Sequence, residues 1–407
     1  MAESIGDRVA RVRRRRGLTQ EQLAEASGVS VATIRKLERN DRTSTRMATL
    51  RQLAQALSVK TTDLMQTGPV RAPLAAEADP DGILAIRRVI TPALGLGQVA
   101  SVADEEAPTI TGVRRSVREG NRLYQGDNYA ATLAALPGVL TEAAQLAELS
   151  DGDAALTASA VQAQAYQLAG STLIQLRYDD LAYQALARAI DLAERSGDQG
   201  LAASAVVSLC WLLLRQHRFD EAEDTALATA DAVEPSFRHA TTSELAVWGW
   251  LLLRGSAAAV RNNRTPEAAE MIRQAKAAAV LVGREVVDYH EYWTTFGPTT
   301  VAMKEVENSM VLGEWGRALE LSTRITVPAR STSNNRNRHL LDRASAHTEQ
   351  RDYTPAAEIL LGIKHTAPEW LRYQRYARDI TATLVTRRKR GLSPELVELA
   401  DFLAVEL

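Results

Sequence analysis

Residues 18–40 read Leu-Thr-Gln-Glu-Gln-Leu-Ala-Glu-Ala-Ser-Gly-Val-Ser-Val-Ala-Thr-Ile-Arg-Lys-Leu-Glu-Arg-Asn. The spacing predicts a helix, a tight turn and a second helix. Thr19 stands at the cap position, and Gln22 three residues on completes a capping-box pattern. Leu23 and Ala24 face inward. Ser27-Gly28 stops the helix, because glycine takes the left-handed conformation of a C-cap without strain. Val29 plugs the corner. Ser30 caps the second helix, whose inward positions are Ile34 and Leu37. Val31, Ala32, Thr33, Arg35, Lys36 and Arg39 point outward. They are small or basic, which is what a surface pressed against base edges and phosphates requires.

On the N-terminal side, residues 5–15 predict a first helix with Val9 and Val12 inward and Arg8, Arg11 and residues 14–16 outward. A basic run of this kind is usually a solvated face. Beside a helix-turn-helix it suits backbone phosphates, which give affinity without reading sequence. After Asn40 comes a polar loop, Asp-Arg-Thr-Ser-Thr-Arg, which adds Arg42, Thr43 and Arg46 to the expected DNA contacts. A fourth helix over 47–57 carries Leu50, Leu53, Ala54 and Leu57 on one face, and a short fifth is capped by Thr61 or Thr62.

Arg13, Gly17-Leu18-Thr19-Gln20, Leu23-Ala24, Gly28-Val29-Ser30, Thr33-Ile34, Leu37-Glu38, Thr49-Leu50, Leu53-Ala54 and Leu57-Ser58-Val59 together resemble the XRE family of helix-turn-helix domains, which includes lambdoid phage repressors and Cro. The resemblance implies Gln20 against a phosphate and Val31, Ala32, Thr33 and Lys36 nearest the bases. It implies an internal pair between Arg13 and Glu38. Asn40 stands where the family usually has Gly, and Asn tolerates the same left-handed conformation. Val31 and Ala32 make no bidentate hydrogen bonds. They either pack on thymine methyls or read little, leaving specificity to Arg35, Lys36 and DNA shape.

The expected organisation is all-α: an XRE-type head over 1–66, a linker over 67–82 and a helical-repeat body over 83–407. Three prolines and two glycines prevent a continuous helix in the linker. A short helix over 83–90 and a weak stretch over 93–107 follow. Beyond 108 a signature recurs, a polar break with an aromatic and then an Ala-rich helix. It appears at Asp127-Asn128-Tyr129, Arg177-Tyr178-Asp179, His217-Arg218-Phe219, Gly313-Glu314-Trp315 and Arg351-Asp352-Tyr353, with a weaker copy at Asn263-Arg264-Thr265. This is the turn of a tetratricopeptide-like (TPR-like) hairpin, at intervals longer than the ~34 residues of the standard repeat. Stacked hairpins make a superhelix with a concave binding face.

Residues 287–301 break the rhythm. Tyr289, Tyr292, Trp293 and Phe296 lie beside a Gly-Pro turn, four of the chain's twenty aromatics. They either plug a gap between repeats or, with Trp248 and Trp250, line an effector pocket with His290 or Glu291 as polar handle. The Trp-Gly-Trp helix, the Phe-Gly-Pro-Thr turn and the repeats resemble a group of actinobacterial XRE regulators with TPR-like C-terminal domains, which has Asn where Thr300 stands. The last helix, from Pro394 with Ser393 as cap, carries Leu396, Leu399, Phe402 and Leu403 on one face, as a solenoid cap or a dimer element.

The 407 residues suffice for two or three domains, and 45% hydrophobic content indicates a globular chain. The single cysteine, Cys210, precludes an internal disulfide and suits the cytoplasm. No apolar run approaches the ~20 residues of a membrane span. Residues 1–66 hold 13 Lys and Arg against 7 Asp and Glu, and the rest 35 against 43. A basic head on an acidic body fits DNA binding, although charge also varies by chance. No phosphate loop, nucleophile elbow, carboxylate pair or metal-ligand spacing is present, so neither an enzyme nor a cofactor is expected. The leading reading is a homodimeric transcriptional regulator that binds a double-stranded operator and senses a peptide or small-molecule effector. The alternative is a TPR scaffold whose head binds DNA weakly.

Overall fold

The computed structural model describes residues 4–40, 45–65, 81–93, 107–287, 291–326, 333–387 and 393–406. The head holds α1 (Ile5–Arg15), α2 (Gln20–Ser27), α3 (Val31–Glu38), α4 (Met47–Ala56) and α5 (Thr61–Leu64) around Val9, Leu23, Ile34, Leu37, Leu50, Leu53, Leu57 and Leu64. Thr19 and Gln22 form the reciprocal cap of α2, Gly28 ends it at φ 67°, and the Ser30 hydroxyl accepts from Thr33 N–H at the start of α3. Arg13 is forked onto Glu38 with bonds of 2.7 and 2.8 Å. Asn40 does take the left-handed conformation, at φ 61°. The cap of α5 differs from expectation. Thr61 and Thr62 are its first helical residues, and the Asp63 carboxylate accepts from Lys60 N–H at 3.0 Å.

Most of the expected linker and of the stretch 93–107 lies outside the described residues. The short helix expected over 83–90 is α6 (Asp81–Ile90), which starts two residues earlier. Its hairpins pair α7 (Ile110–Gln125) with α8 (Tyr129–Glu148), α9 (Gly152–Leu176) with α10 (Asp179–Ser196), and α11 (Gln199–Arg215) with α12 (Phe219–Ala232). They continue with α13 (Thr242–Arg261) and α14 (Thr265–Val282), α15 (Pro298–Leu312) and α16 (Trp315–Thr323), and α17 (Ser333–Glu349) and α18 (Tyr353–Thr366). All six turns share one backbone path. A left-handed residue comes first: Asp127, Arg177, His217, Asn263, Gly313 or Arg351, with φ between 58° and 77°. The next residue caps the second helix at φ near −90° and ψ from 60° to 79°. Five positions after the left-handed residue stands a small buried side chain: Thr132, Ala182, Ala222, Ala268, Ala318 or Ala356. It lets the two helices of the pair close on each other. Tyr129 and Phe219, at the head of their helices, are fully buried.

α8 is by length and composition long and apolar enough to cross a membrane, at a mean hydropathy of 1.2. Here it packs against α6, α7 and α9. After α14 the chain makes a two-stranded antiparallel hairpin, β1 (Val286–Val287) and β2 (Thr295–Phe296), with Val286 opposite Phe296. The Phe296 ring lies against Gly249, where an added Cβ would stand 2.2 Å from it. Glu285 then caps α15, accepting from the backbone of Thr299 and Thr300 at 3.0 and 3.2 Å and from the Thr300 hydroxyl. Beyond α18 come α19 (Pro368–Arg372), α20 (Arg375–Arg387) and α21 (Pro394–Phe402). Leu396, Leu399 and Leu403 of the last turn-and-helix segment are buried in the main core, so this face is used within the chain as an end cap.

The head is docked on the hairpin turns. The Thr62 hydroxyl donates to Asp220 at 2.9 Å, Lys60 pairs with Asp220 at 2.7 Å, and Asn262 donates to the same carboxylate at 2.9 Å. Asn263 donates to Thr61, and Arg51 donates to Thr265, both at 3.1 Å. Met47 and Met65 cover the small apolar cluster of Leu213, Phe219, Ala222 and Ala258. Burial opposes the Asp220 charge, but Lys60, Thr62 and Asn262 outweigh it and hold its carboxyl below the usual range. Its contribution is therefore present above the ordinary aspartate range and fades as pH falls through the lowered value.

Two variants check this architecture. Ala222→Leu overpacks a hairpin and is expected to lower stability by about 1–3 kcal/mol, read by thermal denaturation. Asp220→Ala is expected to release the head while the body keeps its helicity, seen as a larger radius of gyration in small-angle X-ray scattering.

Candidate DNA interface and cavity

α3 presents its outer face to solvent. Ala32, Arg35, Lys36 and Arg39 are exposed, and Val31 and Thr33 half-buried. The Thr33 and Ser30 hydroxyls are 2.8 Å apart. Arg35 is tied across to α2 by an exposed ion pair with Glu21 at 2.7 Å. The Glu21 carboxyl is lowered first by its own backbone N–H and then by Arg35. Gln20 donates to Glu38 at 2.7 Å and accepts from Arg35 at 3.4 Å. Lys36 and Arg39 have no ion pair among the described residues, and Arg14 and Arg15 are exposed on α1. Such uncommitted cations suit phosphate and base contacts.

The second feature is a cavity of about 2340 Å³ on the inner side of the hairpins, with Thr45, Met47 and Leu50 of the head at its wall. It exceeds the ~300–1,000 Å³ of ordinary small-molecule pockets. Its lining is rich in buried charge. Glu307 of α15 pairs with Arg261 at 2.6 Å and with Lys304 at 2.8 Å, and Arg338 lies 4.0 Å away. Burial opposes the Glu307 charge, yet these three cations hold its carboxyl well below the usual range. Asp342, 3.6 Å from Arg338, is pushed up to about 6 by burial, with Glu307 adding to the rise. Arg338 also lies over the Tyr376 ring at 4.8 Å.

The family model for helix-turn-helix domains matches residues 9–64. An uncharacterised HTH-type transcriptional regulator, y4dJ of Sinorhizobium fredii (strain NBRC 101917 / NGR234), is 43% identical over 65 residues, which are 16% of this chain and 83% of that protein. The chain belongs to the XRE-type helix-turn-helix family. It is a DNA-binding transcriptional regulator with a body built almost wholly of helices. The crystal structure of Bacillus thuringiensis PlcR in complex with the peptide PapR7 and DNA aligns with a TM-score of 0.35 and 11% identity, over 87% of the regulator and 99% of PlcR. At that distance nothing of PlcR's peptide or DNA contacts transfers.

Of the DNA contacts expected from sequence, Ser30, Val31, Ala32, Thr33, Arg35, Lys36 and Arg39 share one side of the head. Gln20 joins them but is hydrogen-bonded within the head. Arg42 and Thr43 lie outside the described residues. Arg46 is turned the other way, paired with Glu349 and donating to Thr383 at 3.0 Å, because the head sits on the body by this side. The expected aromatic pocket is split. Trp250, Tyr292 and Trp293 line the cavity, with the Trp250 indole N–H donating to Thr295 O at 2.8 Å. Trp248 is buried edge-on to Phe237 and Phe296 lies in the core, so both are packing residues. Tyr289 and His290 lie outside the described residues. Glu291 contributes its backbone oxygen, which accepts from Gln164.

Sequence reasoning missed Trp211, Arg215, Arg254, Lys304, Glu307 and Arg338, all at the cavity wall. One signal was available. The pentapeptide Trp-Leu-Leu-Leu-Arg occurs twice, at 211–215 and 250–254. The Glu307 cluster can be tested directly. Glu307→Gln leaves three partly buried cations without their shared anion, and a loss of about 3–5 kcal/mol in urea unfolding is expected.

Proposed function

We propose that the regulator works as a cytoplasmic homodimer without enzymatic activity. Two α3 helices then read half-sites about 34 Å apart, and the cavity of the body holds a peptide or small-molecule effector. The observation that carries this reading is the docked head. It meets the body through α4 and α5, leaves α3 free for DNA, and contributes part of the cavity wall. An effector that fits one arrangement of head and body better than another shifts the population towards it, and so changes the spacing of the two reading helices. Lys36 and Arg39 supply phosphate or base contacts, and Arg35 leaves Glu21 for DNA or stays with it according to the operator.

Gel shifts with fragments of the regulator's own promoter test this. Lys36→Ala is expected to weaken binding and reduce the salt slope by about one charge if the contact is to phosphate. The thermal midpoint should not move. Sedimentation should give a dimer. Specific binding by a monomer, or unchanged binding after Lys36→Ala and Arg39→Ala together, sinks the reading.

A further inference from the structure

We propose that the cavity recognises an organic oxyanion, carboxylate or phosphate, through a ladder of two tryptophans and two arginines that the chain makes twice from the same pentapeptide. The proposal rests on the reading that the cavity holds the effector. Trp211 and Arg215 are four residues apart on α11, and Trp250 and Arg254 four apart on α13. That spacing puts both side chains of each pair on one helix face. Arg215 lies 5.5 Å from the Trp211 ring centre and Arg254 4.8 Å from that of Trp250. α11 packs on α13, and Arg254 also stands 5.8 Å from Trp211, so the two copies interleave. Lys304 lies at 5.5 Å over Trp250.

Neither guanidinium has an ion-pair partner of its own among the described residues: Asp179 acts on Arg215 and Glu307 on Arg254 only from beyond contact distance. Arg215 donates to Ile174 O at 2.9 Å and Arg254 to Val207 O at 3.3 Å. Neither has a carboxylate within 4 Å among the described residues, and Glu307 is already shared by Arg261 and Lys304. Burial, with Arg177 nearby, brings Arg215 down to about 9, and burial brings Arg254 down to about 10. Partly desolvated positive charge of this kind is costly until an anion arrives. The guanidinium fork matches the oxygens of a carboxylate or phosphate, and the indole faces hold it in plane. Those same faces, with Tyr292 and Met310, offer an apolar wall to the body of the ligand.

Fluorescence titration of the full chain tests this with two probes, anilinonaphthalene sulfonate and its neutral counterpart phenylnaphthylamine. The sulfonate is expected to bind saturably and about tenfold or more tighter than the neutral probe. Arg215→Gln with Arg254→Gln should remove that preference and leave the neutral probe unchanged. Added sulfate should displace the sulfonate from the unmodified chain, a readout independent of any variant's folding. Benzoate and phenyl phosphate as competitors then separate the two oxyanions. Equal binding of both probes overturns the ladder and leaves the cavity reading intact. Binding of neither overturns both.

Discussion

The body depends on a close approach between the two helices of each pair, made possible by one small buried residue. Thr132, Ala182, Ala222, Ala268, Ala318 and Ala356 occupy the same place in six turns whose backbone paths coincide. A larger side chain there would push the pair apart, and a packed interior resists such shifts. The regular path fixes where each hairpin's inner helix faces. It thereby places the wall of a cavity from residues far apart in sequence. The head is a separate core, and it meets this framework largely at the turns, through the Asp220 carboxylate and the side-chain amides of Asn262 and Asn263.

Much of this was legible in the chain. Thr19, Gln22, Gly28 and Ser30 are local signals, and local signals decide caps and corners. The six breaks could be found because an aromatic and a small residue recur. Their register could not, because the aromatic is not the residue that turns the chain. Tyr178 caps its helix, while Tyr129 and Phe219 begin theirs, and the common element is the left-handed residue before them. The aromatic pocket was read only in part for a similar reason. Trp248 and Trp250 look alike in sequence but lie on opposite sides of Gly249, one facing the core and one the cavity. The repeated Trp-Leu-Leu-Leu-Arg was hidden inside apolar runs, where an arginine reads as the wet end of a core helix. The docking pairs joining Thr62 to Asp220 and Arg46 to Glu349 span some 160 and 300 positions and carry no periodic signal.

The charge in the cavity works against stability. Apolar residues of similar volume would often hold the same hairpins together as well or better. Lys304, Glu307, Arg338 and Asp342 nonetheless sit together at the cavity wall, with Lys304 lowered and Asp342 raised by burial while the neighbouring cations hold Glu307 low against it. Their arrangement makes sense as part of a surface that meets something polar. These four charges cancel, and across the whole wall the arginines and lysine slightly outnumber the carboxylates, although the body as a whole is acidic.

The head is fastened to turns belonging to three different hairpins, at 220, at 262–265 and at 349. A solenoid bends by small rotations between neighbouring repeats. Anchors on separate repeats convert such rotations into shear across the base of the head. The head therefore behaves as a gauge of the body's curvature: it stays seated only while three turns keep their mutual distances, and a ligand that changes the pitch need not touch the head to tilt it.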